Sequence, residues 1–87
     1  MKIKNGFVIR AVGGEYVVVP VGERTKTFHG MINLNETSAF IWKFFTEEHT
    51  PEDCVDALCA EYDVERAQAE ADVCQFIETL KKNGFLE

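Results

Sequence analysis

Gly30-Met31-Ile32-Asn33-Leu34-Asn35-Glu36-Thr37-Ser38-Ala39-Phe40-Ile41-Trp42 is the stretch on which the fold turns, because the side-chain period changes inside it. From Met31 to Leu34 the alternation is that of a strand, with Ile32 and Leu34 pointing one way and Met31 and Asn33 the other. Asn35 then carries the short acceptor side chain that closes the first turn of a helix, and Glu36 suits the positive end of the helix dipole. Beyond it Phe40, Ile41, Phe44 and Phe45 recur at helical spacing and are expected in the core. Trp42 falls between those turns and is expected to cover the core's edge.

Working towards the N-terminus, the chain reads as sheet. Phe7–Val12 and Glu15–Val21 are β-branched and aromatic runs joined by Gly13-Gly14. A two-residue glycine connection supplies the positive φ angles of a tight hairpin, so these strands pair antiparallel. Pro20 has no N–H and belongs at a strand end or an edge. Gly22 to His29 is a polar connection leading into the third strand.

Towards the C-terminus the chain reads as helix. Thr50-Pro51-Glu52-Asp53 opens a second helix with a Thr cap, a proline at the first helical position and two acids. Its apolar stripe is Val55, Leu58 and Tyr62, with Cys59 beside it. Asp63 is expected to cap a third helix ending near Lys81-Lys82-Asn83, where Gly84 suits a left-handed terminus. Phe85 and Leu86 are expected to fold back onto the core. Residues 1–87 thus form a single α+β domain, a three-stranded antiparallel sheet followed by three helices. On the third helix Val73, Ile77 and Leu80, with Phe76 and Ala69 at the margin, cover one side. Ala67, Ala71, Cys74 and Glu78 form a neighbouring stripe of mostly small residues. That stripe allows two readings: close packing against the first helix, or one wall of a groove for an extended ligand.

Composition excludes several functions. The 87 residues carry a net charge of −6, with +3 on residues 1–35 and −9 on residues 36–87. Phosphate backbones are bound mainly through Lys and Arg, so nucleic acid is not an expected partner, and an acidic helical half suits a protein or peptide. The apolar runs are too short to span a membrane, and the first residues lack the apolar stretch of a secretory signal, so a cytoplasmic location is expected. Cys54, Cys59 and Cys74 have neither disulfide-framework nor zinc-knuckle spacing, and His29 and His49 fall in loops as solvent-facing imidazoles, so no metal is expected. No nucleophile–base pair, phosphate-cradling glycine loop or CxxxCxxC cluster is present, so neither an enzyme nor a cofactor is expected. Acids such as Asp53 and Asp56 read as solvated helix faces.

The Leu34-Asn35-Glu36-Thr37 and Ile41-Trp42 pairing, with Tyr16-Val17-Val18-Val19-Pro20 before it, resembles the PqqD-like family, the peptide chaperones or precursor-peptide recognition elements of ribosomal peptide-modification pathways. Thr50-Pro51-Glu52-Asp53-Cys54-Val55, Tyr62-Asp63-Val64 and Leu80-Lys81-Lys82-Asn83-Gly84-Phe85-Leu86 extend the likeness to roughly residues 6–87. The resemblance implies a winged-helix-like fold. It also implies binding of a precursor-peptide leader as an added strand between the third strand and the third helix, for presentation to a modifying enzyme such as a radical S-adenosylmethionine enzyme. Carried over, the strand positions are Met31, Ile32, Asn33 and Leu34. The small-residue stripe supplies Ala67, Ala71, Cys74, Gln75 and Glu78 as the helix wall. An open edge strand can also pair with its own copy, so a homodimer is a further expectation. The rival readings are a winged-helix interaction or dimerisation module without a peptide ligand and, on the same architecture, a DNA-binding regulator.

Overall fold

The computed structural model describes residues 1–26 and 32–87. Strand β1 (Phe7–Val12) and strand β2 (Glu15–Pro20) pair antiparallel, with Val12 opposite Glu15. Gly13 and Gly14 between them have φ of +57° and +84°. Both lie in the left-handed region, which gives a type I′ turn whose twist matches that of the strands. A short 3-10 segment (Gly22–Lys26) follows, and strand β3 (Ile32–Leu34) then pairs antiparallel with β2. The sheet order is β1-β2-β3, so β3 is an outer strand. Met31, assigned to this strand from the sequence, lies outside the described residues, as does His29.

Three helices complete the chain: α1 (Glu36–Phe44), α2 (Pro51–Glu61) and α3 (Arg66–Lys82). Asn35 caps α1 as its side chain dictates, its Oδ1 accepting from the Ser38 N–H at 2.8 Å. Thr50 and Asp53 exchange side-chain and backbone bonds in a capping box, with Pro51 in the first turn. The third helix departs from expectation at its start. Its N-cap is Glu65, which makes no side-chain cap bond, and Asp63 falls in the link between α2 and α3. Tyr62 ends α2 in extended backbone, so the chain uses the residues up to Glu65 to carry Ala69 and Val73 onto the core. At the other end Gly84 has φ +72°, as a left-handed terminus requires.

The core lies between the inner sheet face and the helices. Val18, Leu34, Ile41, Phe45, Leu58, Val73, Leu80 and Phe85 are all buried in it. Phe85 and Leu86 do fold back: Leu86 bridges to Ile3, and the Phe85 ring sits 4.8 Å from Phe7 and 5.1 Å from Trp42. Trp42 is not at the core's edge; it is 2% exposed. On α1 the buried residues are Ala39, Ile41 and Trp42, continued by Phe45 at its C-cap, because the sheet and Phe85 close over that side. Phe40 and Phe44 are displaced to the flanks, half-buried, where they meet Tyr62 and His49 edge-on and stacked respectively. His49 is thus a packing residue rather than a solvent-facing imidazole.

Candidate functional site

The hydrogen-bond parity of the sheet identifies which groups its open edge offers. The Val21 N–H donates to the Gly6 carbonyl at 2.8 Å, continuing the β1–β2 register by one step. Hydrogen-bonded pairs in an antiparallel ladder recur every second residue, so Val19, Val17 and Glu15 direct their backbone groups towards β1. Tyr16 and Val18 therefore direct theirs towards β3, where they face Leu34 and Ile32. Asn33, opposite Val17, is left with its N–H and C=O turned outward. No backbone bond among the described residues reaches Asn33 from that side. Pro20 occupies a position of the same parity as Val18, so its missing N–H costs no bond to β1.

Beside this edge runs a groove of about 350 Å³. Ile32, Asn33 and Leu34 form one wall, and Asp72, Gln75, Phe76 and Thr79 of α3 form the other. The start of α1 closes one end with Asn35, Thr37 and Ser38, while Ile41 lies in the floor. Ile41, Leu34 and Phe76 are buried and Ile32 is half-buried, so a small apolar floor lies beneath a mostly polar rim. Such a cleft has the chemistry to receive apolar side chains while polar groups fix a backbone.

The sequence-derived site divides here. Ile32, Asn33, Leu34 and Gln75 are brought together at the groove. Ala67, Ala71, Cys74 and Glu78 are exposed and do not line it, nor do they pack against α1. Two residues along a helix rotate the side chain by about 200°. Cys74 is two residues from both Asp72 and Phe76 and so lies on the far side of α3. There Cys74 borders a separate recess with Val55 and Ile77, and Glu78 lies between the two sides, lining that recess and also one shared with Gln75 and Thr79. Sequence reasoning missed Asp72 and Thr79 as groove residues. Their signal was their spacing from Phe76, which lies at the margin of the buried face and therefore marks where the groove side begins.

Burial raises the Cys54 thiol to about 11, so it is a neutral packing group beneath α2 at ordinary pH. Among the described residues, no cluster of His, Cys, Asp and Glu is arranged to hold a metal ion, and no helix is long and apolar enough to cross a membrane.

None of the curated proteins matches the chain. Among solved structures it is similar to TbiB1 in complex with the TbiA(beta) leader peptide, at 31% identity and a TM-score of 0.75, covering 100% of this chain and 95% of that one. It is also similar to a lasso peptide synthetase B1 complexed with its leader peptide, at 27% identity and a TM-score of 0.72, covering 97% and 93%. Both share the three-stranded antiparallel sheet followed by three helices. The family model for coenzyme PQQ synthesis protein D matches residues 15–86, which span β2, β3 and all three helices, and the chain therefore belongs to the PqqD family.

Proposed function

We propose that this protein binds the leader segment of a ribosomally synthesised precursor peptide and holds it for a peptide-modifying enzyme. The leader adds as a fourth strand beside β3, in the groove against α3. The observation that carries this reading is the outward-facing N–H and C=O of Asn33 beside an apolar-floored groove, in a chain similar to two leader-peptide complexes. Its role is to bind and present rather than to catalyse. A radical S-adenosylmethionine enzyme is the partner implied by the family resemblance, and lasso peptide synthesis, named in one of the two similar structures, is the other route.

Magnitudes say what must do the binding. Two edge hydrogen bonds from Asn33 return only about 1–3 kcal/mol. Ordering three leader residues costs about 3–6 kcal/mol. Edge pairing alone therefore loses. Each apolar leader side chain buried on the floor adds about 1.5–3 kcal/mol, and such anchors decide the affinity.

The groove and the small-residue stripe are separated by one pair of variants. Thr79→Phe fills the groove and is expected to weaken binding of a labelled leader peptide by about tenfold or more. Cys74→Phe adds the same bulk on the far side of α3 and is expected to leave the affinity within about twofold. Fluorescence anisotropy titrations of both variants check this. Equal losses, or a loss only in Cys74→Phe, would move the site to the stripe, and no saturable binding to the unmodified protein would remove the reading altogether.

A further inference from the structure

Among the described residues lining the groove a single one carries charge, Asp72. It is half-buried, and one carboxylate oxygen, Oδ1, accepts from the Gln68 Nε2 at 2.9 Å. No cation among the described residues pairs with it. The nearest basic residue in sequence, Arg66, is committed to Asp56 at 2.7 Å and to Glu70 at 3.3 Å. Lys43 on α1 lies over the Tyr16 ring at 5.3 Å. The other groove side chains are neutral: asparagine, glutamine, serine and threonine above the apolar floor. A carboxylate with spare acceptor capacity at the rim of such a cleft favours a cationic donor and repels an anion.

We propose that Asp72 selects, among extended peptides, those with a lysine or arginine two positions from the apolar residue that meets Phe76. This inference rests on the reading that a peptide strand lies in the groove. The spacing follows from geometry. Asp72 and Phe76 are one helical turn apart, a rise of about 6 Å. Residues i and i+2 of a strand face the same side and are about 6.8 Å apart. A strand laid along the groove thus puts one side chain over Phe76 and the next same-side one at Asp72. The charge of −9 on residues 36–87 favours the same sign of ligand over longer range.

The test is a selection from a displayed library of random dodecapeptides on the full protein and on the Asp72→Lys variant, with circular dichroism as the control for folding. The unmodified protein is expected to enrich an apolar residue with Lys or Arg two positions away. The variant is expected to keep the apolar residue and exchange the basic one for Asp or Glu. A second readout leaves the protein untouched: replacing that peptide's basic residue with norleucine is expected to weaken binding to the unmodified protein by about tenfold, the size of one charge-assisted hydrogen bond. The same exchange should leave binding to Asp72→Asn unchanged. Identical charge preferences on both proteins, or a norleucine peptide that binds equally well, overturn the role of Asp72 while peptide binding stands. A library that enriches nothing on the unmodified protein overturns the groove reading and this inference with it.

Discussion

Replacing Asn33 with proline is expected to weaken leader binding by about 30- to 150-fold, equivalent to about 2–3 kcal/mol, with the fold retained. The effect is large because the substitution acts three times on the incoming strand. It deletes the outward N–H, leaves a leader carbonyl without its partner in a partly dehydrated groove, and puts a ring where that carbonyl approaches. The fold survives because the lost N–H bonds nothing within the sheet. Proline's φ is also compatible with an edge strand, and Ile32 before it is already extended. Ile32→Pro and Leu34→Pro are the opposite case. Their N–H groups face Val18 and Tyr16, so each removes a ladder bond between β2 and β3. Both are expected to lower stability in urea unfolding by about 1–3 kcal/mol, whereas Asn33→Pro stays close to the unmodified protein. Equal destabilisation by all three would show that the parity assigned to β3 is wrong.

The largest effect on stability is expected from Trp42→Ala, at about 3–5 kcal/mol. Trp42 is 2% exposed, and its ring meets Phe85 at 5.1 Å and Phe7 at 6.4 Å, both edge-on. It thereby joins α1, β1 and the C-terminal residues that bridge back to Ile3. A chain of this size has only about 4–13 kcal/mol in total, so the loss removes about a quarter of it or more. Denaturant melts followed by far-ultraviolet circular dichroism check the figure. Trp42→Phe, which keeps the edge-on contacts and loses volume, is expected to cost less than half as much. A cost below about 1 kcal/mol for the alanine variant would mean that the residue caps the core instead of filling it.

The sheet and most helix boundaries were legible because they rest on local chemistry; the start of α3, where Glu65 makes no side-chain cap bond, was not. Gly13-Gly14 supplies the positive φ angles that a two-residue hairpin needs, and Asn35, Thr50-Pro51 and Gly84 carry helix termini in their own side chains or lack of one. What the sequence hid was direction around a helix axis. Phe40 and Phe44 look more like core than Trp42 by spacing, yet the sheet and Phe85 cover the other side of α1. The same limit explains the site. Ile32, Asn33 and Leu34 were legible from strand alternation and family likeness, and Gln75 joins them at the groove. Ala67, Ala71 and Cys74 drew attention as small residues, but smallness marks close approach only where another element is present to approach. That side of α3 is open. Asp72 and Thr79 are unremarkable polar residues until the sheet fixes which side of the helix faces β3.

Peptide addition at the β3 edge is tested most directly by amide hydrogen exchange on Ile32, Asn33 and Leu34, measured by NMR with and without saturating leader. In the free protein the Ile32 and Leu34 amides are expected to be protected by their bonds to β2, and the Asn33 amide to exchange freely. With leader bound, the Asn33 amide is expected to gain protection of at least about tenfold while its two neighbours change little. An Asn33 amide already protected in the free protein, or one that exchanges as fast with saturating leader as without it, would contradict the account.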